Sequence, residues 1–351
     1  LALYSRSRAQ NPGYLKCDRY IQQALTKPMK ANKTHLFDTN KISTESIYNI
    51  SPLLDQKQAT ETAQISDFLD KIIEGDCRNI LPLLPAQCAD LIITSPPYAD
   101  KRSKTYGGMK ADDYVTWFLP IAEDLQRVLK PTGSFILNIK EPVVNGERHT
   151  FVIEIILALR KQGWLWVEEY CWHKKNCFPG KWPNRFRDSW ERCLHFTLNK
   201  QFAMYQESVM VPMGDWKNKR LSKLSETDKQ RDNSKVGSGF GKNVSNWVDR
   251  ELAYPTNVLH LATECSNRGH SAAFPVELPK WFIKLFTQYN DVVLDPFMGS
   301  GTTAVACQEL NRRFIGVELN AEYCTIAQNR LREATQLTLW EKGSEYSINQ
   351  P

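Results

Sequence analysis

The sequence predicts an α/β fold in which a doubly wound, mostly parallel sheet is covered by helices on both faces. Two observations lead to this prediction. From Lys71 onward, short apolar runs alternate with longer segments of helical periodicity. The clearest of those helical segments carries a one-sided apolar stripe, as expected of a helix packed on a sheet. The stripe consists of Leu278, Trp281, Phe282, Leu285 and Phe286. Apolar strands alternating with amphipathic helices are typical of a sheet buried on both sides.

The individual elements follow from the same patterns. Strands are predicted at Lys71–Gly75, Asp90–Ser95, Ser134–Ile139, Trp166–Trp172, Arg192–Leu198, Val292–Asp295 and Phe314–Glu318. Helices are predicted at Asp112–Lys130, Phe151–Gln162, Leu278–Tyr289, Thr302–Leu310 and Ala321–Ala334. Residues 1–65 lack sustained periodicity, and a polar, basic stretch between about 200 and 250 interrupts the alternation. We predict a weakly structured extension for the first segment and an inserted region for the second.

Composition and charge restrict the class of protein. The chain has 351 residues, of which 42% are hydrophobic and 24% charged, so a mostly disordered or collagen-like chain is excluded. The formal net charge is +6, but residues 160–250 hold 18 Lys and Arg against 10 Asp and Glu. This local excess suits a phosphate backbone, and a solvated surface is the alternative. Nine cysteines without CxxC pairs, and no long apolar stretch, indicate a reduced, cytosolic protein.

A glycine-rich turn follows one of the predicted strands. Val292–Asp295 leads into Pro-Phe-Met-Gly-Ser-Gly-Thr-Thr, with glycines at 299 and 301, and then into a helix. This order places backbone N–H groups at the carboxyl edge of the sheet and lets a ligand approach the chain closely. Glu318 ends the next strand, where a carboxylate can accept both hydroxyls of a ribose. An ordinary strand–helix turn is the alternative.

The turn favours one adenosine-type cofactor over others. The dinucleotide fingerprint is not matched, since Ala304 stands three residues after Gly301, and no Gly-Lys-Ser/Thr follows. Asp295 is poorly placed for a pyrophosphate and well placed for an ammonium group. S-adenosylmethionine has an ammonium, a carboxylate, a ribose and an adenine, and no phosphate.

A second turn has the chemistry to hold a planar amine. A buried strand ending at Ser95 is followed by Pro96, Pro97 and Tyr98. Consecutive prolines make the turn rigid and supply carbonyls without donors. The Ser95 hydroxyl and the Pro96 carbonyl can each accept one hydrogen of an exocyclic amine, while Tyr98 stacks on the ring. A strand simply ended by prolines is the alternative.

Together, Thr-Ser-Pro-Pro-Tyr and Asp-Pro-Phe-Met-Gly-Ser-Gly-Thr-Thr resemble the DNA amino-methyltransferases of bacterial restriction–modification systems. The catalytic turn precedes the cofactor turn with a basic region between them, which is similar to the β-group order. The resemblance covers about 70–335. It implies a Rossmann-like S-adenosylmethionine-dependent methyltransferase fold with permuted motif order and an inserted target-recognition region. It also implies double-stranded DNA as partner, a flipped-out base, a companion restriction endonuclease and a bacterial cytoplasmic location.

The domain organisation is interpreted accordingly. Residues 1–65 form the extension, 66–198 the catalytic half, 199–262 the target-recognition region, 263–336 the cofactor-binding half and 337–351 a tail. DNA contacts are expected to begin near residue 172.

The resemblance also assigns site residues. The catalytic turn is Ser95, Pro96, Pro97 and Tyr98. Cofactor contacts are expected from Asp76, Phe274, Pro275, Asp295, Phe297, Gly299, Ser300, Gly301, Thr302 and Glu318. Asp76 is expected to reach the adenine, to cap a helix, or both, and Phe274 to pack near the methionine part or in the core. A mixture of cations and rings between 172 and 187 indicates DNA contact by Lys174, Lys175, Lys181, Trp182, Arg185 and Arg187.

The target base follows from the first residue of the catalytic turn. In this family Ser at that position usually accompanies cytosine N4, and an acidic residue usually accompanies adenine N6, so Ser95 indicates N4-methylcytosine. An adenine-N6 enzyme is the alternative, followed by an RNA or protein amine methyltransferase and a catalytically silent DNA-binding regulator. The pairs Cys171/His173 and Cys193/His195 match no common zinc spacing, and no metal is expected.

Overall fold

The computed structural model describes residues 47–48, 64–99, 109–177, 180, 183–214, 250–263 and 274–348, with side chains from 64 to 336. The predictions for Lys181, Trp182 and nearly all of the extension 1–65 lie outside these residues. So does most of the inserted region, between 215 and 249.

Within the described residues, nine strands form one central sheet. The strands of the structure, in chain order, are β1 (Ile47–Tyr48), β2 (Lys71–Glu74), β3 (Ala89–Thr94), β4 (Leu129–Ile139), β5 (Val143–Val144), β6 (Glu147–Arg148), β7 (Leu165–Lys174), β8 (Trp190–Thr197), β9 (Val211–Pro212), β10 (Leu252–Ala253), β11 (Val258–Leu261), β12 (Val292–Asp295) and β13 (Arg313–Glu318). Their order in the sheet is β1–β2–β13–β12–β3–β4–β8–β7–β11. Strand β8 runs antiparallel to both of its neighbours, and every other neighbouring pair is parallel. The predicted doubly wound, mostly parallel sheet is confirmed.

Helices cover both faces of this sheet. They are α1 (Cys77–Ile80), α2 (Tyr114–Val128), α3 (Phe151–Lys161), α4 (Glu277–Phe286), α5 (Thr302–Glu309) and α6 (Ala321–Ile348), with short 3₁₀ turns at Ile65–Asp67, Leu81–Leu83 and Gln206–Val209. Successive strand residues face opposite sides. In β3, Ile92 belongs to the apolar cluster shared with α2 and α3, while Leu91 and Ile93 belong to the cluster shared with α4, α5 and α6.

The predicted apolar stripe of α4 packs against the sheet as expected. Leu278, Phe282, Leu285 and Phe286 are at most 1% exposed, and Trp281 is partly buried at the margin. Burial of large side chains on this scale is the main source of the free energy of folding, at roughly 1.5–3 kcal/mol per side chain.

All predicted strands and helices are present, most with ends shifted by a few residues. The two-residue strands β1, β5, β6, β9 and β10 were not predicted, and two longer elements also differ from the prediction. Helix α6 continues to Ile348, beyond the predicted end at Ala334 and through most of the segment predicted as a tail. Residues 335–348 contain no proline and several good helix formers, so nothing in this stretch of backbone ends the helix. Strand β11 was not predicted, because four residues within a polar region give too short a pattern. No helix among the described residues is long and apolar enough to cross a membrane.

Strands β9 and β10 form a small antiparallel pair on either side of the segment 214–250. Val211 pairs with Ala253 and Pro212 with Leu252, and the N–H of Met213 donates to the Glu251 carbonyl at 3.0 Å. The two ends of the segment 214–250 therefore lie side by side. The assignment of residues 199–262 to target recognition remains a prediction, within which β11 adds an edge strand to the central sheet.

Candidate active site

The two turns singled out in the sequence lie next to each other. Strands β3 and β12 are neighbours in parallel register, with Leu91 opposite Val293, so both end at the same edge of the sheet. There the Thr94 hydroxyl donates to Asp295 Oδ1 at 2.6 Å, across 201 residues of sequence. Both side chains are buried, at 0% and 1% exposed. This hydrogen bond joins the Ser-Pro-Pro-Tyr turn to the glycine-rich turn.

Asp295 is the centre of this junction. Its Oδ2 accepts from the Thr303 hydroxyl at 2.7 Å, and its Oδ1 also accepts from the Phe297 N–H at 3.1 Å. These donors are neutral, and within the described parts of the chain no Lys, Arg or His forms an ion pair with Asp295. Burial raises the pKa of Asp295 to about 6, although Thr94 and Thr303 oppose the shift. A buried carboxylate without a cationic partner suits a ligand that brings a positive charge.

Gly299 and Gly301 occupy their positions in the turn for different structural reasons. Gly299 has φ 56°, and its N–H donates to Glu318 Oε2 at 2.8 Å. Gly301 has φ 81°, and a Cβ there would lie 2.7 Å from the Ala327 Cβ on α6. The sequence explained both glycines by close approach of a ligand. For Gly301 the structure gives another cause, because the left-handed backbone and the contact with α6 already require glycine.

Arg330, which was not predicted as a site residue, contacts the side chains of Ser300 and Thr302. Arg330 Nη1 lies within hydrogen-bond distance of the Ser300 carbonyl (2.7 Å), the Ser300 hydroxyl (3.0 Å) and the Thr302 hydroxyl (3.0 Å). Ser300 and Thr302 are 3% and 4% exposed. Arg330 thus fixes the turn, and its only sequence signal was a cation within a helix next to the motif.

Two acids flank the turn at neighbouring strand ends. Glu318 is 2% exposed and accepts from the N–H groups of Gly299 and Asn320, each at 2.8 Å. Asp76 caps α1 by accepting from the Arg78 N–H at 2.9 Å, which confirms its predicted capping role. The hydrogen bond from the Arg78 side chain lowers the pKa of Asp76, against the effect of burial. A role of Asp76 at the adenine stays a prediction.

Three apolar residues complete the predicted cofactor set. Pro275 is buried, and Phe274 is partly buried against the cluster that contains α4. The Phe297 ring lies 5.8 Å from the Trp117 ring and is partly buried. Core packing of Phe274 is therefore observed, while its contact with a cofactor stays a prediction.

The Ser-Pro-Pro-Tyr turn is held by hydrogen bonds on two sides. The Tyr114 hydroxyl donates to the Pro97 carbonyl at 2.8 Å. The Tyr98 hydroxyl donates to Glu191 Oε2 at 2.5 Å and lies 3.3 Å from Asn138 Oδ1. Ser95 and Tyr98 remain partly exposed, and Pro96 is buried. Ser95 and Tyr98 therefore lie together at the edge where Asp295 lies, with the Ser95 side chain hydrogen-bonded to that of Tyr98.

The predicted DNA contacts divide into two groups. Lys174 pairs with the buried Glu191 at 2.5 Å, and Arg185 pairs with Asp188 at 3.3 Å, so both side chains have partners within the protein. Lys175 and Arg187 are exposed. Between the two arginines, Phe186 is 96% exposed, which is unusual for so large an apolar side chain.

These residues lie at the same edge of the sheet as the two turns. Lys175 directly follows β7, and Arg187 precedes the antiparallel β8. His173 at the end of β7 pairs with Trp190 at the start of β8. The basic surface therefore adjoins the site.

The cysteines and histidines considered for zinc do not form a ligand set in the described residues, which contain no group of three or more potential ligands. His195 is 1% exposed and bonded to the Ser134 hydroxyl at 3.0 Å, and burial lowers the pKa of His195 to about 3.

Comparison with known proteins gives consistent matches. A family profile described as DNA methylase, of the N6/N4 type, matches residues 89–329. The type II methyltransferase M.PvuII of Proteus hauseri is 29% identical in a match of 276 residues that covers 71% of this chain and 80% of that protein. M.BglII of Bacillus subtilis is 31% identical over 267 residues, covering 74% of this chain and 68% of that protein.

Among solved structures, one titled PvuII DNA methyltransferase (cytosine-N4-specific) superposes with a TM-score of 0.57. The match covers 76% of this chain and 90% of that one at 23% identity. This likeness supports the Rossmann-like methyltransferase fold.

Proposed function

This chain belongs to the N6/N4 family of DNA methylases, and from that premise we propose that it methylates the N4 amine of cytosine in double-stranded DNA. Membership makes it a DNA methyltransferase that uses S-adenosylmethionine. We further propose that it is the modification enzyme of a restriction–modification system, paired with an endonuclease, since several relatives carry type II names.

One observation carries the proposal. The catalytic turn, which begins with Ser95, and the glycine-rich turn are joined by the hydrogen bond between Thr94 and Asp295. An amine held at the first turn is therefore next to a cofactor held at the second. Serine as the first residue of the turn, together with the N4-specific title of the PvuII structure, favours cytosine over adenine.

The residues of the second turn fit S-adenosylmethionine. Buried Glu318 offers a carboxylate for the ribose hydroxyls, and buried Asp295 offers one that lacks a cationic partner in the described structure. When bound, the cofactor supplies an electrophilic methyl group on a sulfonium. The residues proposed to hold it are Asp76, Phe274, Pro275, Asp295, Phe297, Gly299, Ser300, Gly301, Thr302 and Glu318.

The chain's own part in the reaction is to orient the amine. The lone pair of an exocyclic amine is delocalised into the ring and is a poor nucleophile. Donation of its two hydrogens to the Ser95 hydroxyl and the Pro96 carbonyl favours a pyramidal nitrogen with a directed lone pair. Tyr98 supplies a stacking face for the base, which must leave the duplex to reach this edge.

No cysteine is needed as a nucleophile, and the buried ones are unsuited to that role. Burial raises the pKa of Cys77 and of Cys324 to about 12 and also raises those of Cys193 and Cys307. Their thiols therefore stay protonated near pH 7, and the thiolate is the reactive form.

Nucleoside mass spectrometry of DNA from a host that expresses the chain tests the proposal. We expect N4-methylcytosine in the wild type. Ser95→Ala is expected to lose most of kcat while cofactor affinity, measured by calorimetry, stays unchanged. N6-methyladenine without N4-methylcytosine would overturn the base assignment, and labelling of RNA or protein in place of DNA would overturn the choice of substrate.

A further inference from the structure

The hydroxyl of Tyr98 is anchored by a buried carboxylate. Glu191, at the second position of β8, is 7% exposed and accepts the Tyr98 hydroxyl at 2.5 Å. Asn138 on β4 is 2% exposed and lies 3.3 Å from the same hydroxyl. Tyr98 as a whole is partly exposed, while its hydroxyl is bound to these two buried side chains.

Lys174 balances the charge of this carboxylate. Its ammonium lies 2.5 Å from Glu191 Oε1, so the two oxygens of Glu191 serve two different partners. The ammonium also lies 4.9 Å from the centre of the Trp172 ring. A buried carboxylate is costly unless it is paired and hydrogen-bonded, and this one is both.

The Tyr98 phenol is suited to act as the donor in this arrangement. Burial raises the pKa of Tyr98 well above its usual value, and the neighbouring Glu191 raises it further. The phenol therefore stays protonated and donates a hydrogen bond to a charged acceptor. Such a hydrogen bond is stronger than one between neutral groups.

We infer that Glu191 and Lys174 are positioning residues, which fix the plane of the Tyr98 ring against the flipped-out base. The inference rests on the proposed function, in which Tyr98 stacks on the base. A ring attached only through its Cβ can tilt and rotate, whereas a ring anchored at its hydroxyl has one orientation. Orientation of the base decides how well its amine is aligned for attack. Lys174, predicted as a phosphate contact, acts here on the catalytic turn instead.

A double-mutant cycle between Glu191→Gln and Tyr98→Phe tests the coupling. Glutamine at 191 keeps the shape of the side chain but removes the negative charge that binds both Tyr98 and Lys174. Phenylalanine at 98 keeps the ring but removes the hydroxyl. We expect each single variant to lower kcat about tenfold with an unchanged Kd for S-adenosylmethionine. We expect the double variant to be no slower than the slower single variant, because both changes break the same interaction.

Glu169→Gln is the matched control. Glu169 also forms an ion pair with an arginine of β8, Arg192, but no contact is observed between that pair and the catalytic turn in the described structure. The Glu169→Gln variant should leave kcat unchanged. Thermal denaturation of all variants separates loss of stability from loss of positioning.

A spectroscopic readout uses duplex DNA with 2-aminopurine at the target position, once modification calling has identified the site. Stacking on an aromatic ring quenches 2-aminopurine, so complexes of Glu191→Gln and Tyr98→Phe should be brighter than the wild-type complex. Wild-type kcat and fluorescence in Glu191→Gln, or rate losses that multiply in the double variant, would overturn the inference alone. A wild-type protein that methylates no DNA would overturn both this inference and the proposed function.

Discussion

Asp295 connects the two turns of the site through a buried hydrogen bond to Thr94. Its place at the end of a strand before a glycine turn identified it as a site residue. Its principal partner, Thr94, lies 201 residues earlier, and no local pattern reveals that pairing. Glu191 and Arg330 were missed for the same reason, since each acts on a turn that is distant in sequence.

The pKa of Asp295 leads to a prediction about pH. Because its folded-state pKa is raised to about 6, this carboxyl group stabilises the fold fully below about pH 4, and that contribution is lost as pH rises through 6. Relative to the unfolded chain, burial of the ionised group therefore lowers the stability of the unliganded protein by about 3 kcal/mol at pH 7. A bound ammonium group offsets this cost, so affinity for S-adenosylmethionine should rise between about pH 5 and 7.

Calorimetric titrations from about pH 5 to 8 measure this dependence. Asp295→Asn carries no charge and should show weaker binding with a flatter pH profile. Parallel profiles for the wild type and the variant would contradict a role for this carboxylate in binding the ammonium.

At the scale of elements, the contact between the glycine turn and α6 determines what residue 301 can be. Gly301→Ala would have to adopt φ 81° and would bring its Cβ to 2.7 Å from that of Ala327. Left-handed backbone costs a non-glycine residue roughly 1–2 kcal/mol, and the steric overlap adds to that. We expect a loss of about 2–3 kcal/mol in the free energy of unfolding, measured by denaturant titration.

Gly146→Ala is the matched control, because Gly146 has φ 87° with nothing within 4 Å of a Cβ. It should show the backbone cost alone. Adding Ala327→Gly to Gly301→Ala should recover part of the steric loss, because the Ala327 Cα would still lie 3.0 Å from the new Cβ. Equal losses for Gly146→Ala and Gly301→Ala would show that the contact with α6 is unimportant.

The elements themselves were more predictable than their partners. Long apolar periodicity identified the seven predicted strands and five helices, because burial and period act within each segment. Strand β11 has four residues, and its hydrogen bonds to β7 are tertiary, so nothing local distinguished it from a loop. The Ser-Pro-Pro-Tyr and glycine-rich turns were recognised because their chemistry is contained in consecutive residues.

For the whole molecule, the carboxyl edge of the sheet combines the site with exposed cations. Lys175 and Arg187 are exposed there, whereas Lys174 and Arg185 are paired within the protein. We expect Lys175→Gln/Arg187→Gln to weaken binding to all duplexes and to lower the salt slope by roughly two units, about 0.9 per phosphate contact.

Fluorescence anisotropy at several salt concentrations gives this slope. Lys161→Gln is the control, since Lys161 is exposed at the end of α3 near the amino edge of the sheet, away from the site. A wild-type slope in the double variant would place the phosphate contacts elsewhere.

The β9–β10 pair has a consequence for how such an enzyme can acquire a new specificity. Met213 and Glu251 flank the segment 214–250, and the backbones of these two residues are hydrogen-bonded. A replacement segment of another sequence or length therefore needs only to join these two neighbouring residues. Its length matters little, because doubling the length of a flexible loop costs only about 0.6 kcal/mol of free energy. Because this segment is predicted to recognise the DNA sequence, its replacement would change the target sequence and leave the residues of methyl transfer unchanged.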